Sequence, residues 1–151
     1  MKKFELTTDF ITVFGIKLFR VKALISFGNV SEGELGGYLE KEENLSQEGS
    51  AWVSDNAWVY GNAWVSGNAR VFGNARVYGD ADYATVKGFG SEYRNTTFFR
   101  TKENNVKVVC GCFYGTLEEF REKVKETHGN SKIAKEYLMI ADLMEYHFEE
   151  E

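Results

Sequence analysis

Residues 51–80 read AWVSDN, AWVYGN, AWVSGN, ARVFGN, ARVYGD, an unbroken period of six. Alanine recurs at Ala51, Ala57, Ala63, Ala69, Ala75 and Ala81. Valine follows two residues later at Val53, Val59, Val65, Val71 and Val77. An internal period of this kind decides the fold before any other feature does. Side chains two apart on a strand share a face, so the Ala and Val of each hexad point inward together. The Gly-Asn pair that follows suits a sharp corner, because glycine takes positive φ without steric cost. Each hexad is therefore a short strand plus a corner, and three hexads close one coil. An antiparallel sheet with repeated turns is the plain alternative, and five near-identical hexads argue against it.

Followed backwards, the register places Leu35 in the valine phase and Leu39 and Leu45 in the alanine phase, which predicts a degenerate first coil over residues 30–50. Followed forwards, Ala81 and Tyr83 still fit, and Lys87-Gly88-Phe89-Gly90 ends the pattern. A short solenoid exposes two open ends that must be covered. Before it, ITVFGIKLFRVKALISF (residues 11–27) is rich in β-branched and aromatic residues and breaks at Gly15, which predicts a covering hairpin. After it, TTFFRTKE and VKVVCGCF flank Asn104-Asn105, a two-residue hairpin signal that sets Phe99 opposite Cys110. Thr116 and Glu119 form a capping box for a helix ending before Gly129, with Leu117, Phe120 and Val124 as its apolar stripe. A second helix starts near Asn130 or Ser131 and carries Ile133, Tyr137, Ile140, Ala141, Met144 and Phe148 on one side. The reading is a mainly β chain in three parts: an N-terminal β cap over 1–29, a parallel β-helix over 30–90, and an α+β unit of hairpin plus two helices over 91–151.

Composition bounds the function. A hydrophobic content of 43% in 151 residues is enough to bury a core. The net charge of -5, with only three basic residues between Ala51 and Tyr93, argues against a grip on long nucleic acid. No apolar run reaches the ~18 residues of a membrane span, and MKKFELTTDF does not read as a signal peptide. With two cysteines, the expectation is a cytoplasmic protein with reduced thiols.

Two stretches resemble known families. LISFGNVSEGELGGYLEKEENLSQEGSAWV (residues 24–53), running into the A-x-V-x-G-N hexads, resembles the YdcK-like β-solenoid proteins of the hexapeptide-repeat class. That resemblance, and not the spacing, implies a left-handed coil. The tail FFRTKENNVKVVCGCFYGTLEEFREKVKETHG (residues 98–129) is similar to a domain of uncharacterised phage and prophage proteins, which implies a phage setting in a host cytoplasm. Neither resemblance implies a reaction, so no catalytic residue and no cofactor is carried over.

Four chemistries can be set against the residues themselves. Hexapeptide-repeat acyltransferases work as trimers with a histidine between subunits, and the hexads here contain none; His128 and His147 both fall on the C-terminal helices. The related carbonic anhydrases need three histidines around zinc, and the chain has two. Cys110, Cys112 and His128 are the low-ranking candidates for a metal; against them, the two-residue spacer of structural zinc sites is missing, and Val106, Val108, Cys110 and Cys112 read as a core stripe. Glycines near 33–37 and 88–90 lack the arrangement of a phosphate-binding loop.

The outward positions carry more information. Trp52, Trp58, Trp64, Arg70 and Arg76 precede the inward valines, and Tyr60, Phe72 and Tyr78 follow them. The coil should stack Trp58 over Arg76, Tyr60 over Tyr78, Trp52 over Arg70 and Ser54 over Phe72, with Trp64 and Ser66 over Asp82 and Ala84 on a blander third wall. Trp, Tyr and Arg are the types enriched at interface hot spots. These eight side chains form the candidate binding surface, for a host protein or for another copy in a homo-oligomer (dimer or trimer). A small nucleotide also stays open as a ligand, since aromatics and arginine suit bases. Three functions follow as alternatives: a non-catalytic interaction protein, including an inhibitor of a host defence component; an acyltransferase-like enzyme; and a virion or assembly component.

Overall fold

The computed structural model describes residues 2–79, 82–90, 94–111 and 113–149. The chain divides into two compact units, Met1–Asp82 and Tyr83–Glu151.

In the first unit, strands β1 (Phe4–Val13) and β2 (Ile16–Ala23) form an antiparallel hairpin. Phe14 and Gly15 turn it, with φ of 50° and 79°. Strand β3 (Leu35–Leu39) pairs antiparallel with β2 and parallel with the hexad strand β5 (Trp58–Val59), which pairs parallel with β7 (Arg76–Val77). One mixed sheet of order β1-β2-β3-β5-β7 results, in which the hairpin continues the first wall of the solenoid. The second wall pairs β4 (Trp52–Val53) with β6 (Arg70–Val71), again parallel. The third is, among the described residues, a single parallel bridge, Leu45 to Val65. Every inward alanine from Ala51 to Ala75 and valine from Val53 to Val77 is at most 1% exposed. Each buried valine contributes roughly 1.5–3 kcal/mol.

The spacing between levels changes down the stack. Val53 faces Val71 and Val59 faces Val77, eighteen residues on, whereas Leu39 faces Val59 and Leu45 faces Val65, twenty residues on. Leu39 and Leu45 therefore occupy the valine phase, not the alanine phase expected of them, and Leu35 is an exposed residue opposite Lys22. Two extra residues between Leu45 and Val53 cause the shift. They are held in place from below: the Gln47 side chain accepts from the Lys3 amide (2.7 Å), and the buried Lys3 ammonium donates to the Ala51 carbonyl (2.8 Å) and more distantly to Glu48 and Gly49. Gly49 sits at φ 71° where a Cβ would lie 2.7 Å from the Gly67 carbonyl oxygen, so no other residue fits that corner. On the third wall, fully buried Asn44 ties the first coil to the second. Its Nδ2 donates to the carbonyls of Gly61 (3.2 Å) and Ala63 (2.8 Å), and its Oδ1 accepts from the Lys41 amide (3.0 Å).

The second unit is an antiparallel sheet with two helices. Its strands are β8 (Tyr83–Phe89), β9 (Arg94–Arg100), β10 (Val106–Cys110) and β11 (Phe113–Thr116), in the order β11-β10-β9-β8. Residues 83–89, read from the sequence as the end of the solenoid, are thus a strand of this second sheet. The β9–β10 register also differs from expectation. The turn spans Thr101–Asn105, with Asn104 at φ 63° and the Thr101 amide donating to the Asn105 carbonyl (2.9 Å). Cys110 then faces Thr96, and Phe99 faces Lys107. A slip of three residues is odd, so it exchanges the two faces of β9: Phe98, not Phe99, joins Val108 in the core beneath the helices.

Helix α1 (Leu117–His128) carries the expected capping box, with the Glu119 amide donating to Thr116 Oγ1 (3.1 Å) and the Thr116 amide to Glu119 Oε1 (2.8 Å). Helix α2 (Lys132–Phe148) is capped by Ser131. Their stripes meet as expected, with Ala134 fully buried and Ile133 at the margin.

Asn44→Leu leaves the Gly61 and Ala63 carbonyls of the second coil and the Lys41 amide of the first without this partner, and should cost about 2–3 kcal/mol, read as a lower urea midpoint at unchanged slope. Burial pulls the Lys3 ammonium from 10.5 down to about 8. Between those values the unfolded chain binds more protons than the folded one, so this contribution makes stability rise with pH through the window, with the full penalty present below it. The difference in thermal midpoint between wild type and Lys3→Met should therefore move in favour of wild type as pH is raised from 8 to 10.

Candidate interaction surface

Parallel stacking at a fixed register puts like positions of successive hexads one above another. On the outward face of the first wall this builds a row across four strands. Arg20 of β2 faces Tyr38 of β3, Tyr38 faces Trp58 of β5, and Trp58 faces Arg76 of β7. The Arg20 guanidinium lies 4.3 Å from the Tyr38 ring centroid, and Arg76 lies 3.7 Å from that of Trp58. Each such stack is worth about 0.5–2 kcal/mol. Both arginines are further fixed by backbone carbonyls: Arg20 Nη1 donates to Gly36 (2.6 Å), and Arg76 Nη1 to Ala75 (2.8 Å) and Asn56 (3.1 Å). Asp9 Oδ2 lies 3.6 Å from Arg20 Nε.

Beside this row, Tyr60 and Tyr78 pack at 5.2 Å between ring centroids. Tyr78 is 61% exposed, while Tyr60 is half-buried. Burial, with the Asp82 carboxylate adding to it, holds the Tyr60 hydroxyl above its ordinary range against the opposing pull of Arg76. Asp82 is itself positioned by the Tyr78 amide (2.9 Å) and the Gly79 amide (3.2 Å).

The structure therefore brings Trp58, Tyr60, Arg76 and Tyr78 together on one wall, in the predicted stacks. It adds Arg20 and Tyr38, which the sequence reading missed. The signal for Tyr38 was its place one residue before Leu39, concealed by the two-residue insertion that shifts the register from eighteen to twenty.

The second wall does not carry what was expected of it. Trp52 faces Arg70 in register but is only 5% exposed, because Phe27 packs edge-on against it at 5.3 Å and the wall of Gly36 closes over its ring. Its Nε1 is buried with no hydrogen-bond partner among the described residues. Trp52 is a core residue and leaves the candidate surface. Arg70 and Phe72 on the same wall are half-buried. Trp64 is 53% exposed on the third wall; the Asp82 and Ala84 expected above Trp64 and Ser66 serve elsewhere, Asp82 in the turn just described and Ala84 in β8 opposite Phe98.

Of the metal candidates, Cys110 is half-buried with its Sγ 3.3 Å from Thr96 Oγ1 and 3.9 Å from Tyr137 Oη, and it packs against the helix-facing core. His128, in the last turn of α1, lies beside the Tyr137 ring at 6.2 Å. Cys112 lies outside the described residues. Among those residues no three His, Cys, Asp or Glu groups gather as a metal site would require.

Trp52→Phe removes three buried ring atoms but no hydrogen bond among the described residues, and should cost about 1–2 kcal/mol, whereas Trp52→Ala should cost about 3–5 kcal/mol. Chemical denaturation of the two variants separates this core role from a surface one.

Comparison with known proteins bears on the repeat alone. A family model described as the YdcK Beta solenoid repeat matches residues 51–67 and 69–81. No curated protein matches the chain. The match covers the hexads and stops short of the tail, so it adds nothing to the tail's resemblance to phage proteins. The segment whose parallel ladders are described above is thus similar to a YdcK β-solenoid.

Proposed function

We propose that the chain is a non-catalytic interaction protein, a short left-handed β-solenoid whose first wall binds a protein partner through Trp58, Tyr60, Arg76 and Tyr78, with Arg20 and Tyr38 extending the surface. The observation that carries this reading is the row Arg20, Tyr38, Trp58, Arg76 on four hydrogen-bonded strands. Residues of the hot-spot types usually lose rotamer freedom on binding, at about 0.5–1.5 kcal/mol per side chain. Here stacking and carbonyl contacts have ordered them already, which favours a rigid recognition face. The handedness follows from the hexapeptide-repeat resemblance. The phage setting that the tail resembles makes a host protein the partner class, and inhibition or sequestration of that protein the biological role.

The test is co-purification of the full chain from a bacterial host, with the bound protein identified and its affinity then measured against purified material. Trp58→Ala with Tyr60→Ala should reduce that affinity at least a hundredfold, on the scale of two hot-spot truncations of ~2 kcal/mol each, with the far-ultraviolet spectrum and cooperative melting retained. Tyr78→Ala, at a more exposed site, checks the same wall with less risk to folding. His128→Ala with His147→Ala should leave binding unchanged. Undiminished binding by the wall variants, or loss of affinity only where melting is also lost, would sink the proposal.

A further inference from the structure

The outer face of α2 carries three large apolar side chains in the open. Met139, Leu143 and Tyr146 are 65%, 59% and 77% exposed. Spacings of four and three set them in one line along the helix, on the side away from the buried stripe of Tyr137, Ile140, Ala141, Met144 and Phe148. The line continues to exposed Lys132 and Lys135 near the N-terminus of the helix and to exposed Glu149 just past its C-terminus. Asp142 and Glu145 are engaged elsewhere, both at 2.9 Å from Arg121 of α1.

The charges that flank α2 oppose its dipole: the first turn has no acidic residue and begins with Lys132, and Glu149 follows the last turn, against a favourable His147 within it. Helix α1, in the same unit, has the favourable order, with Glu118 and Glu119 in its first turn and Lys125 and His128 in its last. Charges that destabilise their own helix call for an offset from outside it. A second copy of α2 laid antiparallel supplies that offset at both ends at once.

We propose that the chain self-associates through α2, as a two-fold symmetric antiparallel helix pair. Met139 of each copy lies against Tyr146 of the other, the two Leu143 side chains meet near the axis, and each Lys135 faces the other copy's Glu149. A two-fold interface is self-complementary, so one stripe with opposite charges at its ends is sufficient. A parallel pair would set lysine on lysine and glutamate on glutamate. With three apolar residues per copy the contact is small, and the dissociation constant should be on the order of tens of micromolar.

Sedimentation velocity on the full chain, across a concentration series spanning that value, tests this. Wild type should pass from monomer to dimer. Leu143→Glu should stay monomeric with its helical content and melting unchanged; should that variant unfold, Met139→Ser with Tyr146→Ser asks the same question. Lys135→Glu and Glu149→Lys should each weaken the dimer roughly tenfold, since each occurs twice in the interface, and an equimolar mixture of the two should recover it. Trp58→Ala with Tyr60→Ala should still dimerise, which keeps this result separate from the fate of the solenoid wall. A wild type that is monomeric throughout, a dimer that survives Leu143→Glu, or a mixture no stronger than its components would each overturn the proposal and leave the stripe to another occupant.

Discussion

The first unit is governed by what a narrow coil can enclose. Each side of the coil turns inward one small and one medium side chain, alanine then valine, and the parallel ladders hold level upon level at a fixed residue offset. Close packing restricts that choice: at Gly37, two residues before Leu39, even a Cβ would lie 2.8 Å from the Ala57 carbonyl oxygen and 2.8 Å from the Val53 side chain. Once the interior is fixed, the outward side chains have no freedom of register either. Trp58 must stand next to Arg76, and Tyr60 next to Tyr78, because Val59 stands next to Val77.

The same constraint explains how much could be read from the sequence. The five hexads were legible because every inward position repeats, and the capping box of α1 was legible because it is a local pattern. The first coil was misread by two residues. Its leucines look equally suited to either inward phase, and the decisive facts lie elsewhere in the chain: Lys3 and Gln47 holding the insertion, and Asn44 adding side-chain hydrogen bonds on the wall of the Leu45–Val65 bridge. The β9–β10 turn was misread because Asn104-Asn105 is a strong local signal for a two-residue loop. The structure uses only Asn104 at positive φ and closes a longer loop on Thr101, which brings Phe98 and Val108 together over the helices. In both cases burial of apolar residues overrode a local preference.

Trp52 shows the same limit at the candidate site. In the repeat it is indistinguishable from Trp58 and Trp64, and all three occupy the outward position before valine. Their environments differ because non-repetitive sequence treats the three walls differently. Phe27 covers the second wall, β2 and β3 extend the first, and the third has neither. A period can place a side chain on a wall, but the fate of the wall depends on residues outside the period. The first wall keeps its aromatic row in a half-buried, ordered state because Arg20 and Arg76 flank it, one contributed by the hairpin and one by the last described hexad.

The two helices of the second unit offer an internal comparison that bears on which surfaces were shaped for contact. They share a core, pack on the same sheet and are joined by three residues, Gly129 to Ser131. One follows every local rule: a reciprocal cap, acids at its start, bases at its end. The other is well capped by Ser131 and well packed within, yet it starts with lysines in place of acids, has an acid just past its end, and leaves a methionine, a leucine and a tyrosine in the open. Helix stability alone would have favoured the arrangement of α1 at both places. Departures from local consistency in an otherwise consistent unit are the expected mark of a site under a different demand. On α2 the two departures, in charge and in exposed apolar area, fall on one line of the same helix, and a single antiparallel neighbour accounts for both.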